Sequence, residues 1–309
     1  MRISVIIPCH NGGAFIADAL ESVRSQTYPA HEIIVINDDS SDDTVERIEQ
    51  SGIRVVLFNE RFRNVCRARN AGIERATGDW VAYLDVDDWW TPEHLQRAAD
   101  LVEKGQDVAV LNHFDTIESG SGGVFPADFA WPLSEPRAGL THHDFANWFF
   151  KIQPYGLPSG YIHRRDVVLS VGGFDPELRG SEDVDLFFRV IHGRTWACHP
   201  RPTWRYRFGN THSLSSSNGK VLMQGCLLES VVKNEQLYRS EGARDFIRHQ
   251  AKRVLSLAMM DGNDADRQLG WKMAGRHAPL PHRLFWRAMM IWDWPFRRAI
   301  HAKRWLRQR

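Results

Sequence analysis

A mostly parallel α/β sheet flanked by helices, with a helical C-terminal extension, is the fold that the sequence predicts. Three observations support it. Apolar runs of strand length recur at 3–7, 32–36, 54–58, 80–84 and 108–111. Helical spacing fills the intervals between them, and such alternation argues for parallel strands covered on both faces. From residue 220 onward strand signals fade and helical patterns take over.

Taken in order, each element has its own warrant. Ile3-Ser4-Val5-Ile6-Ile7-Pro8 is too short an apolar run for a signal peptide and reads as a first strand. Phe15, Ile16, Ala19, Leu20 and Val23 repeat at three- and four-residue spacing, which predicts a helix. The second strand ends in Asn37-Asp38-Asp39-Ser40-Ser41-Asp42-Asp43, where Asp42 is the expected cap of a helix through Val45 and Ile48. The run from Trp80 to Leu84 leads into Asp85-Val86-Asp87-Asp88. Thr91-Pro92-Glu93 predicts a helix start, with Thr91 as N-cap and Pro92 in the first turn. Leu95, Ala98, Ala99 and Val102 give that helix a buried face. Residues 119–136, with glycines, prolines and isolated aromatics, read as a long functional loop. An ordered block follows over 161–206. In it Ser181 is a candidate N-cap for a helix whose Leu186, Phe187, Val190 and Ile191 face a core. The expected division is an α/β domain over 1–215 and a basic, Trp-rich helical region over 216–309.

Composition sets outer limits. The 309 residues are 43% hydrophobic and 25% charged, ordinary globular values that exclude disorder and allow a sizeable core. A net charge of +1 gives the whole chain no polyanion-binding signature. Cys9, Cys66, Cys198 and Cys226 are scattered with no Cys-x-x-Cys pair, so neither a zinc site nor a disulfide framework is predicted. A reduced, cytoplasmic location fits that pattern. No stretch approaches about 18 consecutive apolar residues, so no transmembrane helix is expected.

Four groups of residues carry candidate chemistry. Asp85, Asp87 and Asp88 crowd the carboxyl end of a strand, where open α/β sheets bind ligands. Like charges at this range repel unless a cation intervenes. Mg2+ or Mn2+, which bridge carboxylates to substrate phosphates, would suit them. Asp38, at another strand's carboxyl end, is placed to bond a nucleotide base or ribose. Arg61, Arg63, Arg67 and Arg69 alternate ahead of Asn70-Ala71-Gly72, and Arg69 is the expected diphosphate contact, since a guanidinium fork suits phosphate. Glu182 and Asp183, after Gly172-Gly173-Phe174-Asp175, lie in a helix's first turn. There the macrodipole favours ionised carboxylates, which either complement the dipole or accept a proton from an attacking hydroxyl.

In sum the motifs resemble the family 2 glycosyltransferases, nucleotide-sugar-dependent enzymes of the Rossmann-like GT-A fold. The matching series is Val5-Ile6-Ile7-Pro8-Cys9-His10-Asn11, then 32–44, then Ala68-Arg69-Asn70-Ala71-Gly72. It continues with Leu84-Asp85-Val86-Asp87-Asp88, Gly172-Gly173-Phe174-Asp175 and Glu182-Asp183, covering roughly residues 3–215. The resemblance implies that Pro8, His10 and Asn11 line a nucleotide pocket and that Asp38 contacts the base. It implies that Asp85 lies near the ribose and sugar, that Asp87 holds Mg2+ or Mn2+, that Asp183 is the catalytic base and that Glu182 places the acceptor. It further implies an inverting transfer from a nucleotide-sugar donor, UDP being favoured, to a glycan or lipid-linked glycan in cell-surface polysaccharide synthesis. The chain departs from the family in Asn37 for Asp, Asp39 for Gly, His10 for Tyr and Asn210 for His; His212 is a ligand candidate or a backbone-bonded loop histidine. A sugar nucleotidyltransferase would carry Lys or Arg in the loop Pro8-Cys9-His10-Asn11-Gly12-Gly13, which has neither. A non-catalytic scaffold would have lost Asp87 or Asp183, and both are present.

Between Arg283 and Arg309 the only acid is Asp293, while Trp286, Met289, Met290 and Trp292 are interleaved with Arg and Lys. Trp294-Pro295 is expected to break this stretch into two helices. Basic helices with interfacial tryptophans can lie on anionic membranes, or these aromatics can pack on the catalytic domain with the arginines toward water; the favoured expectation is peripheral contact with the inner face of the cell membrane. Nucleic-acid binding has no supporting motif.

Overall fold

The computed structural model describes residues 1–103, 108–111, 158–192, 194, 196–199, 203–205, 207, 220–235, 241–260, 264–282 and 284. It divides into two compact units, one comprising Met1–Leu178 with Glu182–Ser213 and the other Arg179–Ser181 with Leu214–Arg309.

The first unit is a seven-stranded sheet among the described residues. Its strands are β1 (Ile3–Cys9), β2 (Glu32–Asp38), β3 (Val56–Glu60), β4 (Trp80–Tyr83), β6 (Val108–Leu111), β7 (Tyr161–Arg164) and β8 (Trp196–His199), in the order β3-β2-β1-β4-β7-β6-β8. All run parallel except β7, which pairs antiparallel with β4 and with β6. Every residue of β1 is buried, as expected of a central strand covered on both faces, which needs no polar alternation. A separate pair, β5 (Trp89–Trp90) with β9 (Trp204–Arg205), is antiparallel.

The helices of this unit are α1 (Ile16–Arg24), α2 (Thr44–Gln50), α3 (Val65–Arg75), α4 (His94–Glu103), α5 (Arg165–Ser170) and α6 (Glu182–Ile191). Helix α1 buries Ile16, Ala19, Leu20 and Val23 against Val5, Ile7 and Val35. Helix starts are where the sequence reading needs correction. α4 begins at His94, and the Thr91 hydroxyl donates to the Thr203 carbonyl at 3.1 Å rather than capping. Pairing β5 to β9 brings that carbonyl within reach and outcompetes the local cap. Asp43, not Asp42, is the N-cap residue of α2, although Asp42 accepts the Thr44 amide at 3.2 Å. Ser181 has φ +55°, and its hydroxyl donates to the Met223 carbonyl.

In the second unit α7 (Lys220–Lys233), α8 (Glu241–Met260) and α9 (Asp264–Ala274) pack on one another around Leu228, Val231, Val254 and Ala258. No helix among the described residues is long and apolar enough to cross a membrane.

Candidate active site

The acid turn leaves the carboxyl end of β4. It is closed by the Asp88 amide donating to the Asp85 carbonyl at 2.9 Å. Ser159 braces it from behind. Its Oγ accepts the Asp85 amide at 3.1 Å and donates to Asp88 Oδ2 at 2.6 Å, and its carbonyl accepts Trp90 Nε1–H at 2.8 Å. Asp88 is buried. Desolvation, reinforced by the charges of Asp85 and Asp87, pushes its carboxyl well above the usual carboxylate range. Among the described residues no three His, Cys, Asp or Glu side chains form a metal-ligating group. Half-buried Asp87 still suits a hard cation that completes its shell with water and substrate phosphates.

Arg69, on α3, is the hub of the site. Its side chain is 4% exposed; Nη2 donates to Asp85 Oδ1 at 2.7 Å and Nη1 to Glu182 Oε1 at 2.8 Å. These two carboxylates hold the guanidinium above its ordinary pKa despite desolvation. Beneath it lies Phe174, with the guanidinium carbon 5.1 Å from the ring centroid. The Gly172-Gly173 pair presents that ring. Both residues sit in the left-handed region, at φ +84° and +67°, where a side chain is strained. Asn70 then clamps Phe174 at both backbone groups: its Oδ1 accepts the amide and its Nδ2 donates to the carbonyl, each at 2.8 Å.

Asp183 sits in the first turn of α6. The macrodipole argument fails for it. Burial first, and the neighbouring Glu182 charge second, raise its pKa to about 8, against the pull of the Val184 amide and Arg69. Low dielectric outweighs a half-charge at a helix end.

The other expected site residues have architectural partners. Asp38 Oδ1 accepts the amides of Phe62 at 2.5 Å and Arg63 at 2.8 Å, and its Oδ2 accepts that of Asn64 at 2.9 Å. That carboxylate, in a residue 4% exposed, shapes the 62–64 loop. Asp39 receives both Nε and Nη2 of Arg63, which holds its carboxyl below the usual range. Pro8 is buried within β1, in register with Ile36. His10 Nδ1–H donates to the Asp38 carbonyl at 2.6 Å, leaving Nε2 to accept from Asn11 Nδ2 at 3.3 Å. Asn11, at φ +52°, accepts the Ser41 amide and donates its own to Ser40 Oγ. The loops after β1 and β2 are thereby joined, with exposed His10 on their rim. Arg61, Arg63 and Arg67 are exposed, and Arg69 is the member of that series turned inward.

Two residues escaped the sequence reading. Ser159 gives no local signal. Arg207 lies between the rings of Phe15 and Trp89, at 4.9 and 4.7 Å. Its amide donates to Asp88 Oδ1 at 3.3 Å, its Nε to the Asp87 carbonyl at 3.2 Å and its Nη2 to Asp18 at 3.2 Å. The aromatic pairs at 89–90 and 204–206 were the available hint. Asn210, His212, the 119–136 loop and the stretch from 285 to 309 lie outside the described residues.

Residues 4–159 match the family described as "Glycosyl transferase family 2". An uncharacterized glycosyltransferase of Nostoc sp. is 33% identical over 181 residues, covering 57% of this chain. The chain spans 55% of that relative's length. The amylovoran biosynthesis glycosyltransferase AmsB of Erwinia amylovora is 28% identical over 229 residues, covering 69% of this chain and 73% of that protein. Among solved structures, S. aureus TarS 1–349 in complex with UDP-GlcNAc superposes with a TM-score of 0.68 at 18% identity, over 90% of this chain and 80% of that one. This likeness shows a shared fold.

Proposed function

Because the chain belongs to glycosyl transferase family 2, we propose that it is a metal-dependent, inverting glycosyltransferase. The donor is a nucleoside-diphosphate sugar, UDP-linked by preference, and the acceptor a hydroxyl of a glycan or lipid-linked glycan in cell-surface polysaccharide synthesis. One observation carries the reading. Arg69 bonds Asp85 and Glu182 at once, which brings the acid turn and the first turn of α6 into one site. The amylovoran context of AmsB and the UDP-GlcNAc held by TarS lend support.

In this reading Asp183 is the base. Its ionised form takes the proton of the acceptor hydroxyl, and the oxygen attacks the anomeric carbon from the face opposite the nucleotide. As the new C–O bond forms, the bond to the diphosphate oxygen breaks and its electron pair leaves with the diphosphate. Glu182, held by Arg69, positions the acceptor beside the base. Asp87 would hold Mg2+ or Mn2+, a cation whose chemistry there is Lewis-acid neutralisation of the leaving group. Asp88 is buried and braced by Ser159 and Arg207, and Asp85 is paired with Arg69, whereas Asp87 is half-buried. His10 offers its ring to the base, while Asp38 acts through the loop it shapes.

The work site would be the cytoplasmic face of the membrane. Leu280 and Leu284, 63% and 58% exposed and four residues apart, lead into the basic tryptophan-rich stretch and support that placement.

Incubation with UDP-, GDP- and dTDP-sugars and Mn2+ tests the activity, read as nucleoside diphosphate released. The expected result is turnover of one donor class by the wild type and a loss of several orders of magnitude in Asp183→Asn. Equal turnover in the variant, or no donor consumed, would refute the proposal.

A further inference from the structure

A guanidinium that grips a diphosphate needs its fork open toward the ligand. That of Arg69 is buried, with two nitrogens already committed to Asp85 and Glu182. Its remaining nitrogen, Nε, is buried without a hydrogen-bond partner. One face is closed by Phe174, which is itself fully buried. The support beneath is rigid. Asn70 fixes Phe174 at both backbone groups, and Arg189 donates to the carbonyls of Val171 and Gly173 at 2.7 and 2.8 Å. A Cβ at Gly173 would lie 2.4 Å from Asn70 Oδ1, so the clamp requires glycine there.

We infer that Arg69 is a positioning residue: one buried guanidinium ties the donor-side Asp85 to the acceptor-side Glu182, sets the station of Asp183, and does not grip the diphosphate. The inference rests on the glycosyltransferase reading above. The planar fork matters, because a lysine ammonium keeps the charge but cannot hold two carboxylates in one fixed geometry. Glu182 and Asp183 are adjacent and both buried, so without an intervening cation their charges oppose each other. Among the described residues, the charged and titratable groups around Asp183 are Glu182 on its own helix, Arg69 and the Cys66 thiol on α3, Asp85 beyond β4, and Asp175 near Cys66.

The test uses the full chain with 13Cγ-labelled aspartate, the Asp183 carboxyl resonance being assigned by its loss in Asp183→Asn. Its titration is followed in wild type, Arg69→Lys and Arg69→Met, and UDP binding with Mn2+ is measured by calorimetry on the same proteins. Arg69→Met is expected to shift the Asp183 titration upward, and Arg69→Lys to reverse only part of that shift, because the charge returns without the fixed two-carboxylate geometry. UDP affinity in Arg69→Lys should stay within about twofold of wild type, a change of only a few tenths of a kcal/mol. An unmoved titration in folded Arg69→Met would overturn the inference. So would a tenfold loss of UDP affinity in Arg69→Lys, which would return Arg69 to the diphosphate. Where Arg69→Met does not fold, Glu182→Gln replaces it: removing that charge must shift the Asp183 titration downward, and no shift again counts against the inference. If the wild type binds no nucleotide, the proposed function fails on its own, and the carboxyl titration still decides the role of Arg69.

Discussion

Two acid-rich turns leave neighbouring parts of one sheet, and their chemistry differs. After β2, each of four aspartates has a cationic or amide donor. Asp38 takes three backbone amides, Asp39 takes Arg63, Asp42 takes the amides of Gly13 and Thr44, and Asp43 takes Arg47. After β4, Asp85 takes the Arg69 guanidinium, and Asp88 takes the Ser159 hydroxyl and the Arg207 amide. The first set folds the loops. In the second, burial of Asp88 beside Asp85 and Asp87 pushes its carboxyl well above the usual range, and the proposed function gives this turn, not the first, a cation.

The comparison breaks first at Asp38. Asp38→Ala leaves three backbone amides without their acceptor and should cost about 3 kcal/mol or more in urea unfolding, since bonds to charged groups are worth about 1.5–3 kcal/mol each. A much smaller loss would mean that the first turn is not architectural.

Second comes pH. Asp183 has its pKa raised from 3.8 to about 8, so the folded chain holds this proton more tightly than the unfolded chain does. Its contribution to stability is therefore present at low pH and is lost as pH rises from about 4 toward 8. Asp183→Asn, an uncharged stand-in, should raise Tm relative to wild type by an amount that grows across that window. Wild-type turnover should climb over the upper part of the same window as the base ionises. Parallel Tm curves for the two proteins would contradict the assigned environment.

Asp88→Asn sharpens the contrast from the other side. Burial and the charges of Asp85 and Asp87 already disfavour the ionised carboxyl there, so removing its charge should cost less in urea unfolding than Asp38→Ala, and a loss as large would contradict that environment. The smallest effect belongs to Asp39→Asn. Its partners Arg61 and Arg63 are exposed, and screened pairs of this kind contribute little. The urea midpoint should barely move, and salt should erase what difference there is.

How far these assignments could be read beforehand depends on the span of the contacts. Buried strands β1, β2 and β4 are legible because each is a continuous apolar run, and the acids at their ends are legible because the runs stop there. The antiparallel β7 is not, since nothing in Tyr161–Arg164 records the direction of its neighbours. The pairing of Arg69 with Glu182 has no local signal, because the two are 113 residues apart in sequence. Arg207 is 119 residues from the Asp88 carboxylate that accepts its amide. Asp38 was ambiguous in principle: an aspartate at a strand end serves a ligand or a loop equally well until the loop is seen. The Gly172-Gly173-Phe174-Asp175 run matched by motif, but its work as the floor beneath Arg69 emerges only from the aromatic contact and the Asn70 clamp.

Asp87 offers the most direct measurement. Thermal shift with UDP, GDP and dTDP, each with and without Mn2+, is carried out on wild type and on Asp87→Ala. Ligand at a hundred times its Kd stabilises the folded state by about 2.7 kcal/mol, enough to read as a change in Tm. The account predicts an Mn2+-dependent rise with one nucleotide in the wild type and none in Asp87→Ala. An equal rise in the variant, or no rise in the wild type with any of the three, would contradict it.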